Sequence, residues 1–331
     1  RSPERRDVMS VLYLLSTGSY LRKIKDRLLI GRADGSHKSL PIQNVEQIVL
    51  NKGGKITPEA VYALLEHRIP IIYVDFLGHV VGVLGNLPCS LQRSLCQMQY
   101  FSQEPQQILL IRSILAVKLE NQQSLLKSYA KSKYHDELLK LAKQIARYAK
   151  RISQTDDIEV LRGLEGIATR TYFQAVPFMV DTDLWPWNGR NRRPPKDPLN
   201  AMLSYGYTFL EREVRVAIAG AGMDCRLGFF HSNTGTRDSL VFDFMELFRP
   251  NVIDRFVFRA VNLKIFSPEQ FETLADGCRF TEEARKVWIY QYEKYMQVIS
   301  KSCQDQTPRE WIRSQIEDFA RHLFTASDTT L

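Results

Sequence analysis

Up to about residue 90, apolar residues come in short runs, several alternating with polar ones, as half-buried strands require. Residues 11–15, 20–24, 27–30, 47–50, 69–74 and 80–84 are such runs. Between them lie Thr17-Gly18-Ser19, Ala33-Asp34-Gly35-Ser36, Asn51-Lys52-Gly53-Gly54 and Gly78, all turn formers. Short strands punctuated in this way predict a β-sandwich-like domain. One helix interrupts it. Thr57 offers an N-cap oxygen, Pro58 suits the first helical position, and Ala60, Val61, Leu64 and Leu65 form the apolar stripe.

After Cys96 the period changes. Residues 107–132 and 136–153 carry apolar positions three and four apart, the spacing of an amphipathic helix. Helical patterning continues over 157–180, 197–219, 239–264, 282–299 and 310–325. The predicted class is therefore α+β with two domains: an N-terminal β domain over 1–95 and a larger all-α domain over 96–331. A loose connection marked by Pro88, Ser90 and Pro105 joins them. The polar residues 1–8 lie outside both patterns and read as a tag or a linker left from a longer fusion.

Composition narrows the function. A net charge of +8 favours a polyanionic partner, nucleic acid before membrane. The five cysteines (Cys89, Cys96, Cys225, Cys278, Cys303) form no C-x-x-C pair, which argues against both a disulfide framework and a structural zinc site. No apolar stretch of membrane-spanning length is present, so a cytoplasmic protein is expected. The basic run Asn188-Gly189-Arg190-Asn191-Arg192-Arg193-Pro194-Pro195-Lys196 reads either as a solvated mobile loop or as a flexible strap on phosphate backbone.

Three segments could carry chemistry. In Arg162-Gly163-Leu164-Glu165-Gly166, two glycines flank a glutamate within a helical pattern. Each costs about 1 kcal/mol against alanine, and close approach of a backbone or ligand to that face is the usual compensation. Arg162, Glu165 and Thr169 share a face, with Tyr172 two turns on. Gly228-Phe229-Phe230-His231 ends an apolar run in a histidine. Asp243-Phe244-Met245-Glu246 sets two acids on one side of an apolar helix, where they need a cation or hydrogen-bond donors. Arg249 is the local alternative, as a structural ion pair. Together Glu165, His231 and Glu246 make a carboxylate and imidazole set suited to Mg²⁺ or Mn²⁺. Neither H-E-x-x-H nor a Walker phosphate loop is present. Phosphodiester chemistry suits such a set, with Arg170, Arg192, Arg193 and Arg249 near enough in sequence to hold flanking phosphates.

These segments occur in a known order. Gly163-Leu164-Glu165-Gly166 with Ala168 and Tyr172-Phe173 comes first, then Asp197-Pro198-Leu199-Asn200-Ala201 with Tyr205-Gly206-Tyr207. Gly228–His231 and Asp243–Pro250 follow. In this the chain resembles the CRISPR-associated protein one family, the integrases that insert new spacers into CRISPR arrays. Leu12-Tyr13-Leu14 and residues 71–75 extend the resemblance to the N-terminal domain.

The resemblance implies a homodimer made through the β domain and a helical domain whose metal ligands are Glu165, His231 and Glu246. Asp243 falls on the family's other acidic position, beside the metal, and completes the expected catalytic set. The expected DNA contacts are Arg162, Arg170, Tyr172, Arg190, Arg192, Arg193, Lys196 and Arg249. Expected partners are DNA (captured fragments and the CRISPR repeat) and a small adaptation protein bridging two dimers. Some relatives are fused to a reverse transcriptase or another CRISPR nuclease. The expected reaction is transesterification by a 3′-hydroxyl. The rivals are a metal-dependent nuclease that joins nothing and a non-catalytic DNA-binding subunit.

Overall fold

The computed structural model describes residues 10–85, 89–231, 238–275 and 277–328. The chain divides into two units, Arg1–Leu87 and Pro88–Leu331. The division falls at the start of the connection rather than after residue 95, because the helix that begins at Leu91 belongs to the second unit.

The first unit holds β1 (Ser10–Leu14), β2 (Tyr20–Ile24), β3 (Arg27–Gly31), β4 (His37–Pro41), β5 (Val45–Leu50), β6 (Lys55–Ile56), α1 (Pro58–Glu66), β7 (Ile71–Val74) and β8 (Val80–Leu84). They form two four-stranded sheets, ordered β1-β5-β7-β8 and β4-β3-β2-β6. β1, β5 and β7 run parallel and β8 closes antiparallel. β5 lies between two neighbours and is buried along most of its length, which accounts for the apolar run Ile48-Val49-Leu50 at its end. Leu14, Leu21, Leu28, Ile48, Leu50, Leu64 and Ile71, drawn from both sheets and α1, share one core. The Thr57 side chain accepts from the Ala60 N–H, as the cap predicts.

Two strands escape the sequence pattern. β4 is polar and exposed over His37-Lys38-Ser39, and its strand state comes from pairing with β3. β6 is only two residues long, beside β2.

The second unit contains α2 (Leu91–Ser102), α3 (Glu104–Lys133), α4 (Asp136–Ile152), α5 (Ile158–Phe173), α6 (Val176–Met179), α7 (Pro198–Gly220), α8 (Ser239–Phe248), α9 (Arg255–Asn262), α10 (Glu282–Met296) and α11 (Pro308–Asp328). α3 packs against α4, α5 and α8, while α7 packs against α8 and α11. Two differences from expectation have local causes. A hairpin, β9 (Phe271–Leu274) with β10 (Gly277–Phe280), sits within the otherwise helical unit. Its four-residue strands are too short to declare a period, and the Phe271 and Phe280 rings pack in a tilted pair with centroids 4.7 Å apart. The single helix expected over 239–264 is instead α8, a π-helical segment at Arg249–Asp254, and α9. Pro250 cannot donate to an α-helical carbonyl, and the wider turn accommodates it. Among the described residues no helix is long and apolar enough to cross a membrane.

Candidate active site

α3, α5 and α8 bring the chemical residues together. α5 starts at an Asp157 cap, whose Oδ1 accepts from Glu159 N–H (2.8 Å) and Val160 N–H (3.2 Å). That start fixes Glu165 on the side facing α3. The buried stripe of α3 runs Ile111, Ile114, Leu115, Lys118, Leu119, Gln122. Lys118 thus occupies a position that the helical period reserves for a core residue, and it is only 3% exposed.

The Lys118 ammonium donates to Glu165 Oε1 and lies 2.6 Å from Glu246 Oε2. Thr169 Oγ1 also donates to Glu165 Oε1, at 2.9 Å. Arg249 pairs with the other Glu246 oxygen at 2.8 Å, which realises the local ion pair anticipated from sequence. Two carboxylates from different helices therefore converge on one cationic point. Burial raises the cost of ionising Glu246, but the charges of Arg249, Lys118 and His231 outweigh it and hold its pKa down at about 2. Burial likewise disfavours the charged form of Lys118, and Glu246 and Glu165 more than reverse this, raising its pKa.

His231 is held from behind. Asp243 is completely buried, and its Oδ2 accepts from Phe229 N–H (2.7 Å) and Phe230 N–H (3.1 Å). Its Oδ1 accepts from His231 N–H (2.8 Å) and faces the ring Nδ1 at 2.6 Å. A carboxylate taking this many donors is an acceptor throughout, so Nδ1 carries a hydrogen towards it and Nε2 is the ring nitrogen left to meet a ligand. Gly228 makes the approach feasible, since a Cβ there would stand 2.7 Å from Asp243 Oδ2 and from Ser239 Cβ. Arg162, on α5, fastens the same segment, donating to the Phe230 carbonyl at 2.9 Å while also pairing with Glu159. Ser232 and Asn233, the polar residues that follow His231, lie outside the described residues.

A second buried cluster adjoins the first. Asp254, in the π-helical segment, accepts from Tyr172 OH (2.9 Å) and Tyr207 OH (2.7 Å). Its burial outweighs these bonds and the nearby arginines, and pushes its pKa up to about 6. Arg249 and Arg190 lie over the Tyr207 ring at 4.9 and 5.5 Å. Tyr172 is fully buried, so the nucleic-acid contact expected of it is replaced by a core anchor. Neither Lys118 nor Asp254 was anticipated, although a lysine on the apolar stripe of α3 was a readable signal.

The basic run is not a mobile strap. Asn200 is fully buried, and its amide donates to Gly189 O (2.9 Å) and Asp197 Oδ2 (2.7 Å). Its Oδ1 accepts from the Arg190 guanidinium (2.7 Å) and Asn191 N–H (3.0 Å). Lys196 N–H and Cys278 N–H then tie the end of the run to Asn191 Oδ1 and onto Pro195 O, both at 2.7 Å. Arg190 turns inward, also reaching Ser204 Oγ at 3.1 Å, while Arg192, Arg193 and Lys196 are exposed. Arg170 is exposed as well. Gly163 and Gly166 differ from the expected close approach: a Cβ on either meets nothing within 4 Å among the described residues.

Two carboxylates and an imidazole are the donor chemistry of a hard or borderline divalent ion. The residues fit such a group by the chemistry of the donor set: Glu165 Oε1 and the buried Glu246 Oε2 both face the Lys118 ammonium, so carboxylate oxygens from two helices already share one cation. Among the described residues, no three His, Cys, Asp or Glu side chains are already gathered at metal-holding distances. Lys118 takes up the space between the acids.

Residues 12–294 match the family model described as CRISPR associated protein Cas1. A Cas4 exonuclease/Cas1 endonuclease fusion of Leptospira interrogans is 30% identical over 302 residues, 88% of this chain and 55% of that protein. The chain thus spans about half the length of that fusion. A solved Cas1 protein from Thermotoga maritima superposes with a TM-score of 0.82 at 25% identity, covering 95% of this chain and 97% of that one. A solved Cas6-RT-Cas1–Cas2 complex shares the fold over 97% of this chain and 35% of its own, at a TM-score of 0.80 and 23% identity.

Proposed function

The chain belongs to the CRISPR associated protein Cas1 family, and on that footing we propose that it is an endonuclease and integrase of spacer acquisition, dependent on Mg²⁺ or Mn²⁺ held by Glu165, His231 and Glu246. The observation that carries this reading is the convergence of Glu165 and Glu246 on a single cationic point, with His231 oriented by a buried carboxylate. A divalent ion bound there would supply a Lewis acid for phosphoryl oxygens.

The chain's own residues do the rest. Asp243 fixes the His231 tautomer, presenting Nε2 as a ligand rather than as a base, since a ligating nitrogen cannot also take a proton. Thr169 holds one Glu165 oxygen, and Arg249 holds one Glu246 oxygen. Arg192, Arg193, Lys196 and Arg170, exposed in the same unit, are the groups available to phosphate backbone. In the reaction a 3′-hydroxyl of a captured fragment attacks a phosphodiester at the edge of the repeat. One phosphodiester forms as the other breaks, and a new 3′-hydroxyl leaves.

Pairing of two DNA ends fits a homodimer bridged by a small partner protein. The solved Cas6-RT-Cas1–Cas2 complex is consistent with such a partner and with fusion to a reverse transcriptase. The test is incubation of wild type and Glu165→Ala with a branched DNA that mimics a half-integrated end, in Mn²⁺ and in EDTA. Strands resealed only by wild type with metal are expected. Shortened fragments without resealing would leave a plain nuclease, and equal behaviour of the two proteins would overturn the metal site.

A further inference from the structure

The ammonium of Lys118 sits where the two acids expected to ligate metal converge. It is 3% exposed, donates to Glu165, and lies 2.6 Å from Glu246. With Arg249 on the second Glu246 oxygen, the cluster holds two positive and two negative side chains. Within these four side chains the charge is balanced, and the Asp243 carboxylate against His231 is the further negative charge at the site. A dication added without any departure would stand against the Lys118 ammonium in a buried setting, which is strongly disfavoured. Of the two cations, Lys118 is the one that can leave. Arg249 is held by its pair with Glu246 and by stacking on Tyr207, whereas the Lys118 ammonium ends a flexible stem and is paired, among the described residues, with the carboxylates in question.

We propose that Lys118 is an internal counter-cation of this site, which an incoming divalent ion displaces from between Glu165 and Glu246. The inference rests on the metal reading above and adds a control to it. In the metal-free chain Lys118 holds the two acids together. The incoming ion competes with an ammonium already in place, so metal uptake is weaker than the donor set alone would give. The displaced ammonium becomes a free positive charge beside the site, suited to a phosphate of the strand being processed.

Two readouts test this on the whole chain. Mn²⁺ affinity is measured by electron paramagnetic resonance for wild type, Lys118→Met, Lys118→Gln and Glu246→Ala. Accessibility of Lys118 to an amine-reactive label is then followed by peptide mass spectrometry, in EDTA and in saturating Mn²⁺. Lys118→Met is expected to bind Mn²⁺ at least about ten-fold more tightly than wild type. Lys118→Gln provides the same comparison if the methionine variant does not fold. Lys118 itself should be protected in EDTA and labelled in Mn²⁺. Binding of Mn²⁺ with Lys118 still fully protected would overturn displacement while leaving the metal site intact. No Mn²⁺ binding by wild type or either lysine variant would overturn the metal site and this inference together.

Discussion

The ring Nδ1 of His231 lies 2.6 Å from a carboxylate oxygen of Asp243 that is completely shut off from solvent, while the ring itself is 42% exposed at its side chain. One end of the imidazole is thus fixed in the interior and the other faces outward. Asp243→Asn leaves a single acceptor oxygen and sets an amide N–H against backbone donors. It is expected to lower Mn²⁺ affinity about 10–100-fold and to destabilise the unit by about 1–3 kcal/mol. Metal titration and urea unfolding check the two effects separately. An unchanged metal affinity in a folded variant would detach Asp243 from the orientation of His231.

Glycines near the site should behave in opposite ways. Gly228→Ala puts a methyl group 2.7 Å from Asp243 Oδ2, so the segment bearing His231 must shift. A cost of about 1–3 kcal/mol and loss of strand joining are expected. Gly166→Ala meets nothing within 4 Å and sits on an exposed helical face. It should stabilise by up to about 1 kcal/mol. Chemical denaturation of both variants decides the matter, and destabilisation by Gly166→Ala would mean that the open face is not open.

Asp254 makes a pH prediction with a definite sign. Its pKa is raised from 3.8 to about 6 in the folded chain, chiefly by burial. Between about pH 4 and 6 the folded state therefore holds more protons than the unfolded one, and stability falls as pH rises through that window. The total is about 3 kcal/mol. Glu246, held at about 2, contributes with the opposite sign, but only as pH falls from 4.5 through that value, below the window. All four tryptophans, Trp185, Trp187, Trp288 and Trp311, lie in the helical unit, so fluorescence-detected unfolding reports on it. Asp254→Asn should flatten the slope between pH 4 and 6. A slope unchanged by the substitution would assign it to another group.

The ordered basic run separates its arginines. Neutralising Arg192, Arg193 and Lys196 together should reduce the slope of log binding constant against log salt by up to about 3, near 0.9 for each phosphate that is no longer neutralised. Arg190→Gln should act on stability instead, because its guanidinium bonds Asn200 and Ser204 inside the unit. Fluorescence anisotropy with duplex DNA across a salt series measures the slopes, and a slope unmoved by the triple variant would remove this run from the DNA-binding surface.

Much of this protein was legible along the chain because period, caps and turns are local. The short apolar runs between turn formers in the first unit and the three- and four-residue spacing of the apolar stripe of α3 point to strand and helix by themselves. The caps at Thr57, Asp157 and Asp197 were read or readable from residue type, and each accepts a backbone N–H as its chemistry requires. The three segments bearing Glu165, His231 and Asp243 with Glu246 were singled out by acids and a histidine among apolar neighbours.

What the tertiary structure alone decided are relationships between residues far apart in sequence. β4 is polar, and it is a strand because β3 pairs with it. Nothing local announces that Lys118 meets Glu165 and Glu246, 47 and 128 positions away, or that Arg190 folds back on Asn200 rather than facing solvent. A charge in a sequence carries no address for its partner. The partner is set by which helix faces pack, and packing is a property of the whole core. The sequence by itself therefore determined which residue types were present for the metal-assisted phosphodiester chemistry proposed above. The fold decided that one lysine stands between the acids and that one buried aspartate aims the histidine.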